Sequence, residues 1–272
     1  LKIISNGELF NHIELRRELK TLGHHFKTKS DTEVMLAAWE QWGEESLDKM
    51  EGMWAFALVD TDKQQIILCR DRFGEKPLYI WETNEAYFFG SEPKYLVTLA
   101  GVKPDINYKQ ISRFLVNGYK AIYKRPQTFF QNFEEVAPSN YVIFSDNGSR
   151  SRTRYWDLKY SPTHMNEKAA VDGVRNRLKH SMRVRLRSDV PMALCLSGGV
   201  DSTILAGLAT REFNQNIRTF SIIDEDERYN ERGNIDAQVS FLGCKNYKIH
   251  TSQNNFLDRM SKLIAYHDKP IS

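Results

Sequence analysis

The chain has 272 residues, enough for two domains of ordinary size. With 41% hydrophobic and 27% charged residues it has the composition of a globular protein, which excludes a disordered chain. The net charge of +3 is too small to indicate a nucleic-acid or membrane partner. The longest apolar run, Met53 to Val59, is far short of the roughly 20 residues that cross a bilayer. Three scattered cysteines fit neither a disulfide framework nor a CxxC zinc site, and favour reduced thiols in the cytoplasm.

The first part of the chain predicts two helices followed by strands. A short strand at 1–4 ends in a turn signal, Asn6-Gly7, and apolar spacing predicts a helix over 11–22. A second helix begins at Ser30 or Asp31, either of which suits an N-cap. Four strand-like runs in meander order then indicate an α+β layered domain. The runs are Met53–Val59, Gln65–Cys69, Leu78–Trp81 and Ala86–Phe89; a helix over 106–116, a strand over 141–144 and a turn at 146–148 follow.

After residue 160 the pattern changes to alternating helices and strands. An amphipathic helix is predicted over 167–186, and the short apolar run 192–196 suits a buried parallel strand. A helix over 202–213 and a strand over 219–223 complete the rhythm of a doubly wound α/β domain. The domain boundary is therefore placed near residue 160. The apolar face of the first helix comprises Val171, Val174, Leu178 and Met182.

Two charged clusters have structural interpretations. Arg70-Asp71-Arg72 lies in a loop between predicted strands, where a structural ion-pair network is expected. The basic residues of the helix over 167–186 favour a solvated face. A nucleic-acid-binding or scaffold protein built on that basic face stays an alternative.

A glycine-containing loop at 197–203, with the sequence SGGVDST, lies between the predicted strand 192–196 and a helix. Free backbone N–H groups and the helix dipole make this position an anion site in α/β folds. Gly198 and Gly199 let the backbone approach a pyrophosphate, and Asp201 suits Mg²⁺ bound to phosphate oxygens. The alternative is a tight turn whose glycines serve packing alone. No lysine follows, which excludes a Walker A loop.

The loop resembles the PP-loop, SGGxDS, of N-type ATP pyrophosphatases, which cleave ATP to AMP and pyrophosphate. Motifs in the first 160 residues are similar to the glutaminase domain of the glutamine-dependent asparagine synthetase family, and the resemblance covers nearly the whole chain. The motifs are NGELFN from Asn6, SDTE from Ser30, GMWAFA from Gly52, RDRFGEKPLY from Arg70 and TFSI from Thr219.

The resemblance implies a fold of two domains. Residues 1–160 are expected to form an α+β N-terminal-nucleophile glutaminase domain, an αββα sandwich of four layers. Residues 161–272 are expected to form the first part of an α/β PP-loop ATP pyrophosphatase domain.

The resemblance also implies roles for individual residues. Asn6 and Gly7 would be catalytic and glutamine-binding, forming an oxyanion hole from a side-chain amide and a backbone N–H. Glu8 and Asp31 would bind the α-amino group of glutamine. Asp31 could instead be a helix N-cap only, and Asn6-Gly7 a turn only. Asp201 would hold the metal. The ATP-binding residues would be Leu196, Ser197, Gly198, Gly199, Val200, Asp201, Ser202 and Ile222.

The activity implied is synthesis of asparagine from aspartate, with ammonia from glutamine and a β-aspartyl-AMP intermediate. ATP and Mg²⁺ are the expected cofactors, and glutamine, aspartate and ATP the expected partners; a homodimer is left open. A related amidotransferase acting on another carboxylate, such as a sugar acid or an antibiotic precursor, is the alternative. Its motivation is a set of departures from the family pattern, of which Ile223 in place of glycine lies nearest the nucleotide.

The resemblance stops at both ends of the chain. The family's N-terminal cysteine nucleophile and its second synthetase motif, SGxGxDE, do not occur in the sequence. Cys69 and Cys195 lie within predicted strands and Cys244 lies in the other domain, so none of them is expected to replace that nucleophile. We therefore expect the chain to be a fragment that catalyses nothing complete by itself, and glutamine hydrolysis by it above background would contradict this expectation.

Overall fold

A computed structural model describes residues 1–118, 127–251 and 254–270. The chain divides into two compact units, the first comprising Leu1–Tyr160 with Leu257–Ser272 and the second Ser161–Phe256. Residues 257–272 were predicted to belong to the second domain, whereas the contacts group them with the first unit.

The first unit contains eight described strands in two antiparallel sheets. The five-stranded sheet has the order β1-β2-β3-β7-β8 and the three-stranded sheet the order β5-β4-β6. The strands are β1 (Lys2–Leu9), β2 (Gly52–Asp60), β3 (Gln65–Arg70), β4 (Tyr79–Glu82), β5 (Tyr87–Gly90), β6 (Phe133–Glu135), β7 (Asn140–Ser145) and β8 (Arg150–Arg154). The described helices that begin before residue 160 are α1 (His12–Thr21), α2 (Asp31–Trp42), the short α3 (Ser46–Lys49), α4 (Pro93–Ala100) and α5 (Tyr108–Asn117).

Alternating side chains on β2 separate the first layers of this unit. Trp54, Phe56 and Leu58 belong to a core with residues of α1 and α2, whereas Ala55 and Ala57 face the three-stranded sheet. Because successive side chains of a strand point to opposite faces, one apolar strand can serve both cores. The five-stranded sheet therefore lies between a helical layer and a second sheet.

The three-stranded sheet repeats this division on β4. Ile80 packs into the core between the sheets, while Tyr79 and Trp81 pack with Leu96 of α4. The ring of Trp81 stacks on Phe133 with centroids 4.6 Å apart. The layers thus follow the order helix, sheet, sheet, helix, the αββα arrangement implied by the resemblance.

Two local predictions were wrong in this unit. Asn6-Gly7 does not form a turn but lies inside β1, where Gly7 is paired with Trp54. The four central strands do not form one meander, because β2 and β3 belong to one sheet and β4 and β5 to the other. Strand periodicity shows that a strand has two faces, but it does not show which sheet the strand joins. The Ser30 N-cap is confirmed, since its side chain accepts the Thr32 N–H.

The segment that crosses from one sheet to the other is held by Arg70. Its guanidinium is buried and donates to the carbonyl oxygens of Lys76 at 2.7 Å, Val136 at 2.6 Å and Gly74 at 2.8 Å. Its Nη2 also pairs with Glu135 at 2.9 Å. The loop is structural, as predicted, but Arg70 pairs with Glu135 and with backbone carbonyls.

Asp71 is the anionic counterpart of this loop and is fully buried. Its carboxylate accepts the backbone N–H groups of Phe73 and Glu75 at Oδ1, each at 3.0 Å. Its Oδ2 accepts those of Lys76 at 3.0 Å and Trp54 at 3.3 Å. Four donors satisfy the buried carboxylate. If the carboxylate were removed, the four backbone N–H groups would be left without their acceptor.

Replacing Asp71 with alanine is therefore expected to lower the free energy of unfolding of the first unit by roughly 3 kcal/mol, because four backbone N–H groups lose a charged acceptor. Asp62→Ala, in the exposed turn after β2, is the matched control and is expected to change it by less than about 0.5 kcal/mol. Urea unfolding followed by tryptophan fluorescence measures both. Equal effects of the two variants would contradict this role for Asp71.

The second unit contains a parallel sheet with the strand order β11-β10-β9. Its core combines residues of the sheet with residues of the helices around it. The strands are β9 (Ala193–Cys195), β10 (Arg218–Ile223) and β11 (Lys245–His250), and the remaining helices of the chain are α6 (Glu167–Arg185), α7 (Val200–Gly207), α8 (Arg232–Leu242) and α9 (Phe256–His267). The buried residues of this core are Met182, Leu196, Ala206, Ala209, Ile217 and Leu242.

Two apolar patterns are buried less than predicted. Of the four residues on the apolar face of α6, Met182 is buried, whereas Val171, Val174 and Leu178 are 48%, 59% and 36% exposed along an open cavity of about 680 Å³. The run 192–196 forms a parallel strand, but Ala193 and Cys195 are exposed and only alternate residues enter the core. Periodicity indicates an apolar face without showing what covers it.

Within the part of the chain that the structure describes, no helix has the length and apolar character needed to span a bilayer.

Candidate functional site

The outer edge of β1 is the first candidate site. Trp54 directs both of its backbone groups to Asp71, donating to its carboxylate at 3.3 Å and accepting its N–H at 2.9 Å. Gly7 is the residue of β1 paired with Trp54, and this pair is therefore of the non-hydrogen-bonded kind. The Gly7 N–H must point away from β2, toward the outer edge.

Leu9, two residues along, confirms the direction. Its backbone N–H points to the same edge and donates to Asp31 Oδ2 at 2.8 Å. Two strand residues span about 7 Å. The four bonds from the δ-carbonyl carbon to the α-amino nitrogen of an extended glutamine span about 5 Å. The strand thus places the Gly7 N–H and a carboxylate at a separation suited to the two ends of a glutamine.

Gly7 also has a structural reason to be glycine. A Cβ at this position would lie 2.1 Å from the Met53 carbonyl oxygen and 2.7 Å from the Trp54 Cα. Any other residue would push β1 away from β2. The close packing of β1 on β2 therefore explains why this residue is glycine, and the catalytic role of Gly7 stays a prediction.

The side chains of Asn6 and Glu8 lie on one face of β1, and that of Leu9 lies on the other, facing the core with α1 and α2. The Asn6 side chain lines a cavity of about 190 Å³, walled by Ala55, Ala57 and Phe89. Asn6 Nδ2 donates to Ser91 Oγ at 3.0 Å. Glu8 is exposed, next to the residue that bonds Asp31.

Asp31 is more than the helix cap that the alternative interpretation gave it. Ser30 is the N-cap of α2, and Asp31 is the first residue of that helix. Its Oδ1 accepts the Thr32 N–H at 2.8 Å, while its Oδ2 reaches β1. The carboxylate therefore joins the start of α2 to the edge that Gly7 faces.

Cys69, the cysteine of the first unit, does not line this edge. Cys69 is fully buried in the core of the first unit, and burial raises the pKa of its thiol far above the ordinary range. Cys195 and Cys244 both belong to the second unit. The prediction that Cys69 is not a nucleophile agrees with its burial, because the thiolate is the reactive form.

The second candidate site is the loop after β9. Cys195 is paired with Phe220 of the parallel strand β10, and the Leu196 N–H donates to the Phe220 carbonyl at 2.8 Å. Continuing the register places Ser197 beside Ile222, at the carboxyl edge where α/β sheets bind ligands. The sheet therefore places the loop and Ile222 side by side. Leu196 itself is 1% exposed, so only its backbone can face a ligand.

Gly198 gives the loop its shape. Its φ of +83° lies in the left-handed region, and a Cβ would lie 3.2 Å from Glu231 Cβ and 3.3 Å from Asn234 Cβ. Gln238 Nε2 donates to the Gly198 carbonyl at 2.8 Å. Glu231 and the helix α8 that follows it thus pack against the loop. The sequence did not predict this contact.

The hydroxyl groups of the loop bond within it. Ser202 Oγ accepts the Ser197 N–H at 3.2 Å and lies 3.1 Å from Ser197 Oγ. Thr203 Oγ1 donates to the Gly199 carbonyl at 2.6 Å. Gly199 is the N-cap of α7, so the loop leads directly into the positive end of a helix.

Asp201 lies in the first turn of α7 and is exposed, next to Val200, which is 73% exposed. An exposed carboxylate beside serine hydroxyls and the N–H groups of a helix's first turn is a set of groups suited to Mg²⁺ and phosphate. The residues present therefore fit a magnesium-bound nucleotide phosphate. No cluster of three or more His, Cys, Asp or Glu that could hold a metal by itself occurs among the described residues.

Two family models match separate parts of this chain, one containing the β1 edge and the other the loop after β9. Residues 1–156 match the Glutamine amidotransferase domain, and residues 173–272 match the Asparagine synthase family.

Named relatives match along nearly the whole chain. An asparagine synthetase [glutamine-hydrolyzing] 1 of Bacillus subtilis is 31% identical over 99% of this chain and 42% of its own length. A putative asparagine synthetase of Mycobacterium tuberculosis H37Rv is 32% identical over 99% of this chain and 42% of its own length. An amidase, chyE, of Penicillium rubens is 28% identical over 98% of this chain and 41% of its own length. The chain spans less than half the length of each of these relatives.

Among solved structures, a glutamine phosphoribosylpyrophosphate amidotransferase of B. subtilis is 18% identical and covers 92% of this chain and 61% of its own. Its TM-score of 0.42 is too low to support an inference. The sequence matches do support one. The chain belongs to the glutamine amidotransferase family through residues 1–156, and with its asparagine synthase region it is a member of the glutamine-dependent asparagine synthetase family.

Proposed function

We propose that the protein containing this chain transfers the amide nitrogen of glutamine to a carboxylate that ATP has activated as an acyl adenylate, and that the carboxylate is the β-carboxylate of aspartate. The observation that carries the proposal is the presence, in one chain, of two separate sites with these chemistries. The edge of β1 offers donors for an amide carbonyl, and the loop after β9 offers an anion site.

In the glutamine half, the Gly7 N–H and the Asn6 amide would donate to the oxygen of the δ-carbonyl as it becomes an oxyanion. One such donor typically contributes a few kcal/mol to lowering the barrier. Asp31 and Glu8 would hold the α-ammonium group. The resemblance assigns the nucleophile to an N-terminal cysteine with its own amine as the base.

In the ATP half, the backbone N–H groups of Gly198, Val200 and Asp201 and the hydroxyls of Ser197 and Ser202 would bind the phosphates. Mg²⁺ held by Asp201 would supply charge neutralisation on the phosphate oxygens. A carboxylate oxygen of the acceptor attacks the α-phosphorus and pyrophosphate leaves. Ammonia then attacks the acyl carbon, and AMP leaves with that carboxylate oxygen.

A different acceptor carboxylate is the second candidate, since the relatives that match along nearly the whole chain include one named as an amidase and not as an asparagine synthetase. Ile223 gives it less support than the sequence suggested. The Ile223 side chain is 2% exposed, whereas Ile222 on the opposite face is 68% exposed. The branched side chain that departs from the family pattern therefore points away from the face that Ile222 presents.

ATP–pyrophosphate exchange by the full-length protein, with glutamine withheld and a panel of carboxylic acids supplied, tests the proposal. Exchange that depends on aspartate is expected. Exchange with another acid alone would keep the adenylation chemistry and replace the acceptor. Exchange with none of the acids would contradict the proposed substrate.

A further inference from the structure

Ser91 is the residue whose hydroxyl contacts Asn6. Asn6 Nδ2 donates to Ser91 Oγ at 3.0 Å, although the two residues are 85 positions apart in the sequence. Ser91 follows β5 directly and lines the same cavity of about 190 Å³ as Asn6. We propose that Ser91 is a positioning residue, which fixes the Asn6 amide so that Nδ2 faces the reacting carbonyl. This inference rests on the proposed function.

An asparagine amide needs such a partner to act as an oxyanion donor. Its terminal torsion is broad and roughly twofold, and its oxygen and nitrogen ends have similar size. Asn6 is exposed, so packing does not restrain the amide. Only the nitrogen end can donate to an oxyanion, and an amide turned by half a rotation would place a carbonyl oxygen there instead. With one Nδ2 proton bonded to Ser91, the amide plane is fixed and the second proton is left for the oxyanion.

Ser91 stands on a rigid part of the fold. Helix α4 begins two residues later with the buried Pro93, and Leu96 of this helix is fully buried in the core beneath the three-stranded sheet. The second residue of the helix, Lys94, donates its backbone N–H to Asp268 Oδ2 at 3.0 Å. A site residue supported by packing and by a capped helix keeps its hydroxyl in one place.

The same hydrogen bond could have a structural role only, joining β1 to the end of β5. The effect of removing it on catalysis distinguishes this structural role from the positioning role. Asn6 is exposed and Ser91 is half-buried, so water can replace the bond at little cost in stability. A positioning role therefore predicts a loss in kcat without a loss in the melting temperature.

The test compares Ser91→Ala, Ser91→Thr and the control Ser112→Ala in the full-length protein. Ser112 lies on α5, is exposed and bonds only within its own helix, to the Tyr108 carbonyl. The readouts are kcat and KM for glutamine hydrolysis, amide formation from added ammonia, and the melting temperature.

Ser91→Ala is expected to lower kcat about tenfold, the effect of one hydrogen bond, with KM within about twofold of wild type. Ser91→Thr keeps the hydroxyl and is expected to restore kcat to within about threefold. Ammonia-dependent activity, the melting temperature and the Ser112→Ala control should not change.

Three results would overturn the inference. The first is wild-type kcat in Ser91→Ala. The second is a loss in Ser91→Ala that Ser91→Thr does not restore. The third is a parallel loss of ammonia-dependent activity and melting temperature. A wild-type protein that does not hydrolyse glutamine would instead overturn the proposed function, and this inference with it, so the two failures are distinguishable.

Discussion

Replacing Asn6 with alanine in the full-length protein is expected to lower kcat for glutamine hydrolysis by roughly 10²–10³-fold. The amide lines the cavity beside β1, and its Nδ2 is held at 3.0 Å from Ser91 Oγ. Truncation removes a donor that acts on charge developing in the transition state, so kcat should fall more than KM changes. Steady-state kinetics with glutamine as the varied substrate gives both constants.

The control for this variant is Asn84→Ala, the same substitution at an exposed residue between β4 and β5. It should leave kcat within about twofold of wild type. Amide formation from added ammonia should survive in Asn6→Ala, because the glutamine half is then not needed. Equal losses with glutamine and with ammonia would show that Asn6 supports the fold instead of the chemistry.

Replacing Asp201 with asparagine is expected to lower ATP–pyrophosphate exchange by at least about 10²-fold. The carboxylate is exposed in the first turn of α7, beside the backbone N–H groups that would face the phosphates. An amide of the same shape keeps the helix start but cannot neutralise Mg²⁺, whose effect on phosphate charge contributes several kcal/mol. Loss of a negative charge at a helix N-terminus costs about 0.3–1 kcal/mol, so the melting temperature should change little.

Asp172→Asn is the matched control, since Asp172 is an exposed residue of α6 whose ion pair with Arg175 lies on the surface. It should exchange pyrophosphate at the wild-type rate. Glutamine hydrolysis by Asp201→Asn should also persist. Exchange within about twofold of wild type in Asp201→Asn would remove the metal role from this residue.

Local signals in the sequence predicted most elements. Ser30 caps α2, and the residues 146–148 turn the chain between β7 and β8, because each depends on side chains a few positions apart. The glycine loop between a strand and a helix was predicted from neighbouring residues, and it follows β9 and precedes α7 in the structure, with Gly198 in the left-handed region. Such features are encoded within one turn of backbone.

The distribution of strands over two sheets could not be predicted in this way. Ala55 and Ala57 alternate with Trp54 and Phe56, which shows two faces of a strand without naming the partner of either. The chain passes from one sheet to the other in the loop after β3, whose backbone N–H groups donate to the buried carboxylate of Asp71. Asn6-Gly7 has the composition of a turn, and its place inside β1 depends on pairing with β2, more than 40 residues later.

The sequence predicted which residues form the candidate site, but it did not predict how they are arranged in space. The contact of Asp31 with Leu9 joins residues 22 positions apart, and that of Asn6 with Ser91 joins residues 85 positions apart. No spacing rule connects such residues. Ser91 was not predicted as a site residue, because only the packing of the two sheets brings the end of β5 to β1. Leu196 shows the reverse, because a residue within a binding motif has its side chain in the core.

Isotope transfer in the full-length protein tests most directly whether glutamine nitrogen reaches an adenylated carboxylate. The protein is supplied with ATP, Mg²⁺, glutamine labelled with ¹⁵N in its amide, and aspartate labelled with ¹⁸O in its carboxylates. The proposed function predicts ¹⁵N in the amide of asparagine and one ¹⁸O atom in each AMP. Unlabelled AMP, or ADP as the nucleotide product, would contradict an acyl adenylate and with it the proposed function.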